Sequence, residues 1–476
     1  MKQFPYVFFL GIGGIGMSAL ARWFRANGHA VSGYDKTETP LTQALVAEGI
    51  AVHYADAVAH IPPEIRENKA QTLVVLTPAI PATSLEWAWL REQGYAIRKR
   101  SQVLGVLTEG RLTIAVAGTH GKTTTSSMVA HLLHHAGLPA GAFLGGIAVN
   151  LGSNLLLPAT PEAPVVVEAD EYDRSFLTLH PDVAIVTSTD ADHLDIYGTQ
   201  TALIDSFCQF VGQLKPGGTL LLNHTADARV AAAAPPGTRV LRYGLSAAQG
   251  ADLYAENVTA EGHQFHFDLH GPAGTVPGLQ LAVPGFHNVE NMLAAAAVAQ
   301  QLGVAAGPLA AGVAAYRGVK RRFEFVLTAG PGHVYLDDYA HHPREIEAFL
   351  RSVRALYPGR RLRVVFQPHL FTRTRDFAEG FSRSLSLADE VVLLDIYPAR
   401  ELPLPGITAA MLLPGITAAK KSVQTKAQIL AAATADNTFD ILATVGAGDI
   451  DTLVPKLKVI LSEKWNNLAT DSLSDK

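Results

Sequence analysis

Cysteine is almost absent: Cys208 is the only one in 476 residues. A single thiol makes no intrachain disulfide and no thiolate zinc cluster. A charge excess of either sign is also missing. The chain has 38 Lys and Arg against 43 Asp and Glu, a formal net charge of −5. That mild balance argues against a nucleic-acid partner held by general electrostatics. No uninterrupted apolar run reaches the roughly 20 residues that span a bilayer. The apolar stretch after Lys2 is broken at once by glycines and reads as a buried strand, not a signal peptide. A soluble cytoplasmic protein with no membrane partner is the expectation. What the chain does have is apolar bulk, 48% of its residues. Its length allows about three domains, each with its own core.

Thr113–Thr125 carries the densest signal. An apolar β-like run turns at Gly118-Thr119-His120-Gly121 and puts Lys122, Thr123 and Thr124 at a helix start. This is the layout of a phosphate-binding loop. Backbone N–H groups and the helix N-terminus face an anion, Lys122 reaches the outer phosphates, and the Thr123 hydroxyl ligates Mg²⁺. Where the strict pattern has its first glycine this chain has Val116, and Gly118 lies closer in. Read alone, the stretch is also a Gly-rich strand-to-helix turn.

Nearer the N-terminus, Tyr6–Leu10 runs into Gly11-Ile12-Gly13-Gly14-Ile15-Gly16, then a helix over 18–27 and a strand over 29–34 ending at Asp35. Strand, G-x-G-x-x-G, helix, strand and acid form the dinucleotide fingerprint. Alone it favours NAD, but a diphosphate on a helix N-terminus fits a UDP-sugar equally. A further strand, Thr72–Leu76, precedes the loop Thr77-Pro78-Ala79-Ile80-Pro81, which is either a ligand-lining loop or an ordinary turn.

The middle of the chain alternates strands and helices. Two strands end in acids: Glu168-Ala169-Asp170-Glu171-Tyr172-Asp173 and Asp190-Ala191-Asp192-His193-Leu194-Asp195. Acids and a histidine at that edge can hold Mg²⁺ against a triphosphate, although single acids after strands are often helix caps. His263, His266 and His270 read as strand surface. Asn288 reads as a helix cap before the Ala-rich helix over 292–301, and Lys320-Arg321-Arg322-Phe323 as a solvated link. The last third repeats the pattern of apolar strands ending in polar loops. These are Asp337-Asp338-Tyr339-Ala340-His341-His342-Pro343, then Gln367-Pro368-His369 with Arg373 and Arg375, and Gly446-Ala447-Gly448-Asp449. A repeat of Leu-Pro-Gly-Ile-Thr-Ala-Ala at 404–410 and 413–419 is too short for a repeat architecture.

In this order and spacing, the chain resembles the Mur ligase family. The carrying motifs are Gly11–Met17, Gly118–Thr124, Glu168–Asp173, Asp190–Asp195, His287-Asn288 with Asn291, Lys320–Phe323, Asp337–Pro343, and Phe366–His369 with Thr372–Arg375. The resemblance implies an α/β fold of three domains. Residues 1–107 form a Rossmann-like UDP-sugar domain and 108–322 a P-loop ATPase-like parallel sheet. Residues 323–476 form a Rossmann-like amino-acid domain.

The implied reaction is ATP-dependent. It joins L-alanine to the carboxylate of UDP-N-acetylmuramate through an acyl phosphate. Attachment of a recycled murein tripeptide to the same sugar is the alternative. An NAD-dependent oxidoreductase and a non-catalytic nucleotide switch are more distant ones. The implied ATP site is Gly118–Thr124 with His287, Asn288, Asn291 and Arg322, and Asp337 or Asp338 on the ribose. Thr123, Glu168 and His193 hold Mg²⁺, and Lys122, Glu168 and His193 are the catalytic set. The UDP-sugar site is Gly11, Gly13, Gly14, Ile15, Gly16, Met17 and Ser18 with Asp35, Thr77, Ala79 and Ile80. His341, His342, Arg373 and Arg375 face the amino acid and muramoyl group. Leu370 replaces the family's usual Arg, and Tyr172 a frequent Ser. A monomer or weak homodimer is expected.

Overall fold

Buried parallel strands are continuous apolar runs, because helices cover both sheet faces, and such runs set the architecture. The computed structural model describes residues 1, 3–192, 194–329, 332–399, 401–435 and 439–474. Three sheets lie in two compact units. One unit comprises Met1–Glu256, Phe267–Leu279 and Glu290–Arg317. The other comprises Asn257–His266, Gln280–Val289 and Gly318–Lys476.

The first sheet is all parallel, in the order β3-β2-β1-β4-β5. Its strands are β1 (Tyr6–Leu10), β2 (Ala30–Tyr34), β3 (Ala51–His53), β4 (Thr72–Leu76) and β5 (Ala96–Lys99). Strand order reverses beside β1, so the glycine loop after β1 opens at the switch point where such sheets bind ligands.

The second sheet has ten strands. They are β6 (Thr113–Ala117), β7 (Gly141–Ala148), β8 (Ser153–Leu156), β9 (Val165–Glu168), β10 (Val183–Val186), β11 (Thr219–Asn223), β12 (Arg239–Gly244), β13 (Leu253–Glu261), β14 (Gln264–Gly271) and β15 (Gly274–Leu281). The order is β15-β14-β13-β12-β11-β10-β6-β9-β7-β8. Here β6 lies between β9 and β10, parallel to both, so the loop after it opens at a second switch point.

The third sheet holds β16 (Glu324–Ala329), β17 (His333–Asp338), β18 (Leu362–Phe366), β19 (Glu390–Leu393), β20 (Lys420–Val423) and β21 (Ile441–Val445), in the order β16-β17-β21-β18-β19-β20. Only β16 is antiparallel to its neighbour.

Local chemistry starts the helices. Thr39 and Thr42 form a capping box, and Ser84 caps Leu85–Glu92. His342 caps Pro343–Leu356, with Pro at the first position and Glu345 returning to the cap. The two heptapeptide copies have different surroundings. The second packs on the helix Ala378–Leu385: Gly415 lies against Ser382, Thr417 N donates to Ser386 Oγ just past that helix, and Ile416 is buried. The first follows the exposed Leu402. No described helix is long and apolar enough to cross a membrane.

Candidate functional site

The glycine loop after β1 is shaped by side chains that leave no room for a Cβ. Gly11 has φ +86°, and a Cβ there would lie 2.4 Å from Thr77 Cγ2. Thr77 and Ile80 pack against the loop, with Ile80 N donating to Thr77 O, whereas Ala79 is exposed. At Gly13 a Cβ would meet Asp35 Oδ2 at 2.8 Å. Asp35 braces the loop: Oδ2 accepts from Gly13 N at 2.7 Å and Oδ1 from Thr37 N at 3.2 Å. Gly14 is the N-cap of the helix Ile15–Ala26, which has no side-chain cap, so its first N–H groups face whatever lies at the loop. Met17 and Ser18 are buried, and Ser18 Oγ accepts from Asn154 Nδ2. These two are packed under the loop.

The sequence motifs gave no sign of Arg100. Its guanidinium lies where a Cβ on Gly16 would be, 2.8 Å from Nη1, and its Nη2 reaches Asp170 Oδ2 at 3.2 Å. One cation thus joins the first glycine loop to the acidic motif after β9.

The loop after β6 is held from the neighbouring strand. Gly118 has φ +130°, and a Cβ there would lie 2.1 Å from Thr187 Oγ1. Thr119 N donates to Ser188 O, Thr119 Oγ1 pairs with Ser188 Oγ at 2.7 Å, and His120 N donates to Ser188 Oγ. Thr187 Oγ1 donates to His120 O. Asp190 N donates to Thr119 Oγ1, and its carboxylate lies 3.6 Å from His120 Nε2. Gly121, at φ +82°, is the N-cap of the helix Lys122–His135, and Asn291 Oδ1 sits 2.9 Å from its would-be Cβ.

The acids divide between two partners. Glu168 Oε1 accepts from Thr123 Oγ1 at 3.1 Å, and Oε2 from Gly145 N at 2.9 Å. Glu171, fully buried, meets Lys122 Nζ at 2.9 Å through Oε1 and 2.8 Å through Oε2. Burial alone would lower the Lys122 pKa. The charges of Glu171, Asp170 and Glu168 outweigh that and hold it above its ordinary value. Among the described residues no group of three or more His, Cys, Asp or Glu is placed to hold a metal by itself. His193 lies outside the described residues. Thr123 and Glu168 nevertheless supply adjacent hard oxygen donors, the set Mg²⁺ takes alongside phosphate and water.

The remaining candidates lie in the second unit, except Asn291. His287 Nδ1 is buried without a hydrogen-bond partner among the described residues, and burial lowers the ring's pKa to about 4. Asn288 Nδ2 donates to Pro284 O at 2.7 Å. The two adjacent aspartates are both engaged. Asp337 takes Arg321 Nε at 2.9 Å and Thr444 Oγ1 at 2.6 Å; Asp338 takes Phe323 N and Ala340 N, each at 2.7 Å. Burial raises the Asp338 pKa to about 6 against the pull of Arg322. Arg321, a member of the Lys320–Phe323 motif to which the sequence assigned no role, is thus the cation paired with Asp337, while Arg322 lies over the Tyr339 ring at 5.1 Å. His341 reaches Glu345 at 3.4 Å, and its ring packs edge-on to His369, which stacks on Tyr397. Leu370, at φ +68°, begins the short helix Phe371–Asp376, whose first N–H groups donate to Glu401. Arg373 on that helix is buried, whereas Arg375 is half exposed and turned to Asp376 at 2.7 Å.

Comparisons with known proteins bear on the same segments. Residues 6–111 match the model "Mur ligase family, catalytic domain", 116–299 the Mur ligase middle domain, and 321–450 the "Mur ligase, glutamate ligase domain". A UDP-N-acetylmuramate–L-alanine ligase of Cytophaga hutchinsonii is 46% identical over 461 residues, spanning 96% of this chain and 97% of that one. One of Phocaeicola vulgatus is 47% identical, spanning 96% and 98%. Among solved structures, the UDP-N-acetylmuramate–alanine ligase of Thermotoga maritima superposes with a TM-score of 0.80 at 27% identity, over 96% of this chain and 99% of that one. The murein peptide ligase of Psychrobacter arcticus gives 0.70 at 25% identity, over 96% and 98%. The chain belongs to the Mur ligase family.

Proposed function

We propose that this chain joins L-alanine to the carboxylate of UDP-N-acetylmuramate at the expense of ATP, in peptidoglycan precursor synthesis. The observation that carries the reading is the phosphate loop after β6. There Lys122 and the Thr123–Glu168 pair stand together at the end of the sheet. Similarity along the whole chain to ligases bearing that name favours L-alanine over the tripeptide.

A carboxylate is a poor electrophile, and phosphorylation gives it a leaving group. In the first step a muramate carboxylate oxygen attacks the γ-phosphorus of ATP, the bond to the ADP oxygen breaks, and an acyl phosphate and ADP result. In the second, the alanine amine attacks the acyl carbon and loses a proton, and phosphate departs. Both partners of the first step are anions, so the site must offset their repulsion. Lys122 supplies a fixed positive charge at the outer phosphates, and the Gly118–Thr124 N–H groups cradle the chain of phosphates. Thr123, Glu168 and His193 would hold Mg²⁺, which supplies charge neutralisation at the transferred phosphoryl group.

We assign the UDP diphosphate to the helix start at Gly14–Gly16. Adenine goes to His287, Asn288 and Asn291, and the amino-acid carboxylate to Arg373, the buried arginine of the 371–376 helix. Residues 1–107, 108–322 and 323–476 would divide the work as UDP-sugar, ATP and amino-acid segments. That both large substrates are nucleotides supports a cytoplasmic site for the reaction.

The test is phosphate release from ATP with UDP-N-acetylmuramate, comparing L-alanine with L-Ala-γ-D-Glu-meso-diaminopimelate. Release with free alanine is expected. Release only with the tripeptide would make it the recycling ligase, and silence with both would overturn the ligase reading.

A further inference from the structure

An ammonium has three N–H donors. At Lys122 one goes to Gly118 O at 2.7 Å and one to Glu171 Oε1 at 2.9 Å, and Glu171 Oε2 sits against the same nitrogen at 2.8 Å. Neither partner is loosely placed. Gly118 is locked by the Thr187 side chain. Glu171 is fully buried, and its carbonyl accepts from Tyr197 OH at 2.6 Å and Arg174 N at 2.9 Å. A phosphate oxygen therefore meets an ammonium on which a carboxylate is already seated. A phosphate drawn fully onto that ammonium competes with the seated carboxylate for its charge and its N–H groups. Gly118 O belongs to the loop backbone, so the exchangeable acceptor is the Glu171 carboxylate.

We infer that Glu171 is a positioning residue that holds Lys122 at the loop and yields it to the phosphates of ATP. The inference rests on the phosphate-loop reading and deepens it. Glu168 and Glu171, three residues apart, then have separate tasks. Glu168 stands with Thr123 on the metal side. Glu171 is the stand-in anion that compensates a largely buried ammonium until nucleotide arrives. The arrangement has a cost in affinity, since the nucleotide must displace a two-pronged ion pair.

Equilibrium binding of ATP in EDTA to the full-length chain tests this, using wild type and Lys122→Ala, Glu171→Gln and Asp170→Asn. Asp170 is the matched control. It is a neighbouring carboxylate whose charge acts on Lys122 but whose oxygens bond Arg100 and Tyr172 N. Lys122→Ala should weaken ATP at least tenfold, and Glu171→Gln should tighten it at least threefold. Asp170→Asn should move it far less. If Lys122→Ala binds ATP like wild type, the phosphate-loop reading itself fails. If Lys122→Ala weakens ATP while Glu171→Gln weakens it, leaves it unchanged or only matches Asp170→Asn, the loop stands and the exchange is overturned. Should Glu171→Gln fail to fold, a structure of the wild-type chain with a non-hydrolysable ATP analogue decides. The exchange requires Lys122 Nζ on a phosphate oxygen, with at least one Glu171 carboxylate oxygen moved out of hydrogen-bond range of it. A Glu171 carboxylate still two-pronged on Lys122 beside bound nucleotide would overturn it.

Discussion

Glu290 sits one position before Asn291, whose amide crowds Gly121, and it is the most informative titrating group near the nucleotide loop. Burial raises its pKa from the ordinary 4.5 to about 7, opposed by a hydrogen bond from Asn223. His224 lies 3.5 Å away, its own pKa lowered by burial. The sign for Glu290 follows from linkage. The folded chain binds this proton more tightly than the unfolded chain, so stability falls as pH rises from 4.5 to 7, and above 7 the cost of a buried carboxylate is fully present. A shift of this size corresponds to about 3 kcal/mol. Glu290→Gln should therefore raise the thermal midpoint at pH 8 by several degrees and leave pH 4 nearly unchanged. Parallel pH profiles of wild type and variant would show that Glu290 carries none of the dependence.

The helix Lys122–His135 shows how much an element's ends tell. It opens on Gly121 (φ +82°) and is followed by Gly137 (φ +77°), both left-handed. Alanine at either site carries a backbone cost of about 1–2 kcal/mol. Around Gly137 a Cβ meets nothing within 4 Å; at Gly121 it meets the Asn291 amide at 2.9 Å. Gly137→Ala should thus lose only stability, with kcat and KM for ATP near wild type. Gly121→Ala should lose similar stability and at least tenfold in kcat/KM. Equal activity in the two variants would mean that the loop tolerates a side chain at its helix start.

The same element shows what sequence makes legible. Apolar runs such as Thr113–Ala117 and Ile441–Val445 are strands because parallel sheets bury both faces, and the glycines after them are loops because strands end there. The motifs brought Lys122, Thr123 and Glu168 to one strand edge. Partners far apart in sequence stayed hidden. Arg100 on Asp170, Arg321 rather than Arg322 on Asp337, and Glu401 on the 371–376 helix are set by packing, which periodicity does not report. His342 illustrates the reverse: its His-Pro-x-Glu setting is a capping box written in four consecutive residues.

For the whole molecule, the division into two units makes a prediction about ligand response. The glycine loop after β1 and the phosphate loop after β6 both belong to the unit that begins at Met1, with apolar clusters of its own. The sheet of β16–β21 has a separate core around Tyr335, Val365, Leu442 and Leu457. A ligand stabilises the structure that binds it, by about 2.7 kcal/mol at a hundredfold excess over Kd. Units with separate cores open separately. UDP-N-acetylmuramate alone should therefore slow hydrogen exchange in peptides of the first sheet, above all 6–18 and 72–81, and leave 362–366 and 441–445 at their ligand-free rates. L-alanine added with ATP and the sugar should be needed before peptides around 371–376 are protected. Protection of 441–445 by the UDP-sugar alone would mean that the third sheet responds to the first ligand. It would also remove the assignment of separate segments to separate substrates.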